Sequence, residues 1–442
     1  VDAGQLNGGG DAARPTVAVV LPGGGARGAY EVGALSVLLP ALEARGERVS
    51  VYCGTSVGAI NASTLASLAH LPVQEQVEEM LARWRNLRKR DVIAPIAGGG
   101  GARTTLRLLA HVLGVYRVSL ASLLDPTPLR SSLDRWTDWR MVARNVERGV
   151  IDSVCVVATS LESGGPVGFV SSRDSAPGPS DDGLRYVKTR LRGEHVRASA
   201  AIPLLFPAVE ITTPRTARGH YIDGATRLNS PIKPAIHLGA DRVIVVGLEP
   251  FALAPPRASA PHEPRIADVA ANVIDGLLVD QVGHDMRRVA AINSFFAEGA
   301  STGTSRAARA YRLARGFRPY RPISYALVSP RRRGEIGRLA DTIFERRFGG
   351  LRGLLDPDYI LLSRLLGGRT RSRGELLSFM MFDSEFAEAL IELAQRDARR
   401  WLRRHPGFWC RDAAHDLSVG GIDRGRVQEQ ETLDEFRALR RR

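Results

Sequence analysis

Short apolar runs alternate along the first part of the chain with glycine turns and helical spacing. Val17-Ala18-Val19-Val20-Leu21 leads into Gly23-Gly24-Gly25-Ala26-Arg27-Gly28, and a helical pattern continues from Gly28 to Arg45. A brief run rich in valine before a turn predicts a buried strand, so this stretch reads as strand, turn and helix. The same order of strand, turn and helix follows at once: Val49 to Cys53 is β-prone, and Val57 to His70 carries Ala, Leu and Ile at helical spacing. Further on, Ala198 to Pro207 is an apolar, small-residue segment ended by prolines, Tyr221-Ile222-Asp223 is a short apolar run closed by an acid, and Val243 to Leu248 predicts another strand. Ser171 to Gly183 and Ala252 to Pro264 are rich in Pro, Ser and Gly and read as surface excursions. Gly98 to Gly101 is a flexible joint, and the helix-like segment after it, up to Leu124, reads as a lid or as an ordinary packed helix. No internal repeat is present.

Two of the turns carry candidate chemistry. Gly54-Thr55-Ser56-Val57-Gly58 places a serine between a strand and a helix, with glycines two residues to either side. Such a turn projects a hydroxyl only if the backbone bends tightly, which nominates Ser56 as a nucleophile and Gly54 and Gly58 as its supports. The upstream glycine run has two readings. Gly23, Gly25 and Gly28 satisfy the spacing of a dinucleotide-binding turn, which needs a carboxylate at the end of the next strand; that strand ends in Cys53-Gly54-Thr55-Ser56. In the other reading, the N–H groups of Gly23, Gly24, Gly25 and Ala26 form an oxyanion hole for an ester attacked by Ser56. Among nine histidines none is placed as an obvious base. Asp223, followed by Gly224, is better placed, although Ser56, Asp223 and His237 follow one another in the chain order of a hydrolase triad. His237 falls at a helix end, where its charge would suit the helix dipole. His195 and His220 read as structural or supporting residues.

The glycine run, the Ser56 pentapeptide, the segment Ala198 to Pro207 and Asp223-Gly224-Ala225, in that order, resemble the patatin-like phospholipases, serine acyl hydrolases with a Ser–Asp dyad. The resemblance spans roughly residues 17 to 250. It implies a three-layer α/β/α fold with a mainly parallel sheet and a C-terminal helical extension. It also implies Ser56 as nucleophile, Asp223 as general base, Gly23 to Gly25 as the oxyanion loop, and Arg27 as the basic residue beside that loop. Ser324 to Pro330 and Phe379 to Asp383, the latter leading to a helix that ends near Trp401, are similar to the later strand and helices of bacterial members. The expected organisation is a disordered leader over 1–15, a catalytic core over 16–250, a linker with helix, Arg-rich segment and returning strand over 251–335, and a helical extension over 336–442. The implied activity is hydrolysis of lipid esters, with no metal or organic cofactor. Transfer of the acyl group to an alcohol by the same dyad is the alternative within the resemblance.

Composition adds a charge asymmetry. The formal net charge is +14, and residues 301–442 hold 29 arginines against 18 acidic residues, a net +11. Arg306, Arg309, Arg312, Arg315, Arg318 and Arg321 recur at every third position, with Tyr311, Phe317 and Tyr320 between them. This strip reads as a solvated segment or as a surface for anionic lipid headgroups. Single-stranded nucleic acid is the third option, for a non-enzymatic protein, but no nucleic-acid recognition fold accompanies it. Only three lysines accompany 58 arginines, a bias that base composition alone can produce. Cys53, Cys155 and Cys410 are an odd number, and the first two sit in apolar runs, which suggests buried thiols in a reducing compartment. The most apolar long stretch, Leu106 to Leu124, is broken by Arg107, His111 and Arg117, whereas a spanning helix needs about 20 nearly uncharged residues. The expectation is a cytoplasmic protein in peripheral contact with the inner face of the membrane; nothing in the sequence indicates an oligomeric state.

Overall fold

A computed structural model describes residues 15–94, 124–178, 183–203, 205–251, 281–299, 310–314, 321–348 and 373–411. The chain begins with strand β1 (Val17–Leu21), a single 3-10 turn over Gly25–Arg27, helix α1 (Gly28–Glu43), strand β2 (Val49–Thr55) and helix α2 (Val57–Leu68). Helices α3 (Val73–Asn86), α4 (Thr127–Trp136) and α5 (Trp139–Glu147) follow, then strands β3 (Ser153–Ser160), β4 (Pro166–Ser172) and β5 (Arg185–Lys188). Helix α6 (Gly193–Ser199) leads to the short strands β6 (Val209–Ile211) and β7 (Gly219–Asp223), after which come helices α7 (Ala225–Leu228) and α8 (Ile232–His237) and strand β8 (Arg242–Val246). The later elements are α9 (Gln281–Gly299), β9 (Ser324–Val328), α10 (Glu335–Phe348), α11 (Arg373–Met380) and α12 (Ser384–Arg404).

The strands form one sheet in the order β5-β4-β3-β2-β1-β8-β9, with the β6–β7 pair attached to β3. Pairing is parallel from β3 through β2, β1 and β8 to β9, and antiparallel between β3 and β4 and between β3 and β7. The fold is thus α/β with a mostly parallel central sheet and helices on both sides. A parallel sheet covered on both faces explains the unbroken valine runs of β1 and β3, every residue of which is buried. Helix α2 is buried at all twelve positions. It packs on β1, β2 and β3 and touches α1, α3 and α5. The C-terminal helix α12 lies along α1, where a Cβ on Gly33 would fall 2.6 Å from the Ile391 carbonyl oxygen; the missing side chain is what lets these two backbones approach. Asp383 caps α12 by accepting from the Glu385 and Phe386 amides.

The register of β3 places two distant parts of the chain side by side. Thr55, the last residue of β2, pairs with Val157, and Asp223, the last residue of β7, pairs with the next residue, Ala158. The residue after Thr55 and the residue that closes β7 therefore leave the sheet at the same place.

Candidate active site

That place holds Ser56. It is the residue between β2 and α2 and has φ 55 and ψ −123. A serine in this sparsely populated region is strained by roughly 1–3 kcal/mol, and such a conformation persists only where its surroundings enforce it. The enforcement is visible: the Ser56 amide donates to the Ser199 Oγ at 2.8 Å, and the Ser199 hydroxyl donates to the Val157 carbonyl. The flanking glycines are required by close approach. A Cβ on Gly54 would strike the backbone of Gly58 and Ala59, and one on Gly58 would strike the Leu21 carbonyl.

The Ser56 Oγ donates to Asp223 Oδ2 at 2.6 Å. Asp223 is fully buried, and its other oxygen accepts from the Ala225 amide at 2.8 Å. Its own amide donates to the Ala201 carbonyl, and the Gly224 amide to that of Ser199. Residues 199–201 thus hold both partners from one side. Gly224 itself lies against the Val157 carbonyl, with no room for a Cβ. Burial pushes the Asp223 carboxyl up from an ordinary aspartate value of 3.8 to about 7, against the opposing pull of the hydrogen bonds from Ser56 and Ala225.

The glycine loop sits directly on this pair, since a Cβ on Gly23 would lie 3.0 Å from the Ser56 Cβ. Of the four amides expected to face an oxyanion, that of Gly23 is already committed, donating to Asn229 Oδ1 at 2.7 Å. This bond fastens the loop at Gly23 and sets that amide apart from the other three, those of Gly24, Gly25 and Ala26. None of those three has an acceptor among the described residues. Gly25 has φ +59, and Gly28 packs against Val57 and Trp84. Val57, which has no distinguishing signal in the sequence, is the first residue of α2 and carries one of the unsatisfied N–H groups of a helix N-terminus. Arg27 does not point at Ser56. Its buried guanidinium binds Ser378, Glu375 and the Phe379 ring.

An apolar pocket opens beside Ser56, walled by Ile60, Trp84, Trp136, Phe206 and Phe382 among others. Ser56 is 5% exposed. His237 is elsewhere: its Nδ1 shares a 2.8 Å hydrogen bond with the Tyr186 hydroxyl, so the Ser56–Asp223–His237 order in the chain is not an arrangement in space. His195 is buried against Phe169, and His220 lies beside Glu162. The arginine strip is seen in part. Arg321 is bound to Asp241 and to the carbonyls of Gly239 and Ala240, so its guanidinium fastens the loop before β8 and is not presented as a free headgroup contact. Arg312 lies in a short helical turn over 310–314 that exposes Tyr311 and Leu313. Arg306, Arg309, Arg315 and Arg318, and the candidate lid before Leu124, lie outside the described residues. Among the described residues no helix is long and apolar enough to cross a membrane, and no group of three or more His, Cys, Asp or Glu is placed to hold a metal ion.

The sequence matches no curated protein. The crystal structure of VipD from Legionella pneumophila aligns over 88% of this chain and 67% of its own, at 12% identity and a TM-score of 0.30, too slight a likeness to carry an argument. The model of the patatin-like phospholipase family matches residues 19–236, which include the glycine loop, Ser56 and Asp223. Residues 19–236 therefore form a domain of the patatin-like phospholipases, a family of lipid acyl hydrolases.

Proposed function

We propose that this domain cleaves carboxylic esters of lipids with Ser56 as nucleophile and Asp223 as general base. The observation that carries the proposal is the 2.6 Å hydrogen bond between the Ser56 hydroxyl and a fully buried carboxylate, with no histidine between them. A base must lie within hydrogen-bond reach of the proton it takes and have a pKa near the working pH; a carboxyl raised to about 7 meets both conditions. As Oγ bonds to the ester carbonyl carbon, its proton passes to Asp223 and the carbonyl oxygen takes up the negative charge. The amides of Gly24, Gly25 and Ala26 are the donors available to that oxygen. Collapse expels the alcohol, which takes the proton from Asp223 and leaves an acyl-serine. Water then attacks, again giving its proton to Asp223, and the fatty acid departs as Ser56 recovers its hydrogen.

The apolar walls beside Ser56 suit an acyl chain rather than a polar substituent. Release of fatty acid from phospholipid vesicles by wild type, Ser56→Ala and Asp223→Asn tests the reading. Wild type is expected to release fatty acid and both variants to lose turnover while staying folded. Unimpaired release by folded Ser56→Ala would overturn it.

A further inference from the structure

A loop of three successive glycines has little of its own to fix its shape, because each glycine has wide conformational freedom. Donors aimed at a developing oxyanion are effective only if they are held in place beforehand. Something outside the loop must hold it. Asn229 fastens one end, through the Gly23 amide. The other end is fastened by α11, some 350 residues downstream and outside residues 19–236.

The fastening runs through Arg27. Its Nε donates to Ser378 Oγ at 2.7 Å, and its Nη2 donates to the Glu375 carbonyl at 2.8 Å and to Glu375 Oε2 at 2.5 Å. Nη1 lies 3.6 Å from Glu249 Oε1, and the guanidinium sits 4.0 Å above the centre of the Phe379 ring. The side chain is 1% exposed. Gly25, at φ +59, is pressed on the Phe379 carbonyl so closely that a Cβ would collide with it. Three residues further, Phe382 reaches the apolar pocket that contains Ser56. One short segment therefore both clamps the glycine loop and closes the substrate side.

We infer that Glu375 to Phe382 is a working part of the active site. Arg27 is a positioning residue that locks the oxyanion loop onto α11, and Phe382 is a specificity-determining residue that walls the acyl pocket. The inference rests on the Ser56–Asp223 reading. It implies that the matched domain alone lacks one wall of its pocket and one anchor of its oxyanion loop.

The test uses the full chain and p-nitrophenyl acetate, butyrate and octanoate, with kcat, KM and thermal melting measured for wild type, Arg27→Lys, Ser378→Ala and Phe382→Ala. Lysine keeps the charge of Arg27 but neither its planar fork nor its stacking. A loop displaced by about 1 Å loses stabilisation of the transition state alone, so Arg27→Lys is expected to lower kcat on the order of 100-fold and leave KM within about threefold. Ser378→Ala is expected to act in the same sense to a smaller degree, and decides the matter if Arg27→Lys does not fold. Phe382→Ala is expected to lower the octanoate-to-acetate ratio of kcat/KM about tenfold, the scale of a lost apolar contact. Wild-type kcat in folded Arg27→Lys or Ser378→Ala, or an unchanged ratio in Phe382→Ala, would overturn the inference while leaving the dyad in place. A wild type that hydrolyses none of the esters would sink both.

Discussion

Replacing Asp223 by asparagine should kill the enzyme and stabilise the protein, and the stabilisation should depend on pH. Asparagine has the same shape; its Oδ1 can accept from the Ala225 amide, and its Nδ2 can donate to the Ser56 Oγ, so neither native contact need be lost. What is removed is a buried charge. The carboxyl is held up from 3.8 to about 7 by burial. The folded state binds this proton more firmly than the unfolded chain, so the contribution to stability is fully present below about pH 4 and is lost as the pH rises through about 7. Three units at 1.36 kcal/mol each bound the full effect at about 4 kcal/mol. Between pH 5.5 and pH 8 the stability gap between Asp223→Asn and wild type should widen by about 2 kcal/mol in favour of the variant, on the order of 4 °C in Tm. Thermal or urea melts of both proteins at the two pH values read this directly. A gap that does not change with pH, or that narrows, would mean that Asp223 titrates as an ordinary surface aspartate and is not tuned as a base.

His237→Gln should retain activity within about threefold in a p-nitrophenyl butyrate assay, because His237 bonds Tyr186 and not Asp223; loss on the scale of a triad histidine, several powers of ten, would restore the triad. Ser199→Ala strips the Ser56 amide and the Val157 carbonyl of a buried partner, so it should cost about 1–3 kcal/mol in denaturant melts and lower kcat; unchanged stability and rate would show that Ser56 holds its strained conformation unaided. If the arginine strip meets anionic lipid, replacing Arg309, Arg312, Arg315 and Arg318 together by glutamine should reduce cosedimentation with anionic vesicles and spare hydrolysis of a small ester. Equal binding of wild type and variant would remove the strip from any membrane role.

Much of the architecture could be read from periodicity. The strands before the two glycine turns and the helices after them lie where the apolar runs place them, with ends displaced by a few residues: β2 runs on to Thr55, α1 stops at Glu43 and α2 at Leu68. Ends are set by caps and by neighbours, which a hydrophobic pattern does not encode. The strands β3 and β4 were not identified, although β3 is what brings Ser56 and Asp223 together. Its part depends on the register Thr55–Val157 and Ala158–Asp223, a relation between residues far apart in the chain. The two residues themselves were legible because a glycine-flanked serine and a turn aspartate at the close of an apolar run have local signatures. Ser199 had none: a serine in an apolar segment looks the same whether it packs passively or holds a strained amide. The direction of Arg27 was equally hidden, since its partners lie near residue 375. In the sequence Gly23 reads as a donor to an oxyanion, but its amide donates to Asn229 Oδ1 instead, a competition visible only in three dimensions.

The proposed chemistry requires that Ser56 reacts and that Asp223 makes it reactive. Intact-mass and peptide mapping after exposure to a fluorophosphonate test it most directly, with the labelling rate followed in wild type, Ser56→Ala and Asp223→Asn. A single adduct on Ser56 is expected in wild type, none in Ser56→Ala, and labelling of Asp223→Asn slowed by orders of magnitude in a protein at least as stable as wild type. An adduct on a different residue, or Asp223→Asn labelled at the wild-type rate, would contradict that chemistry.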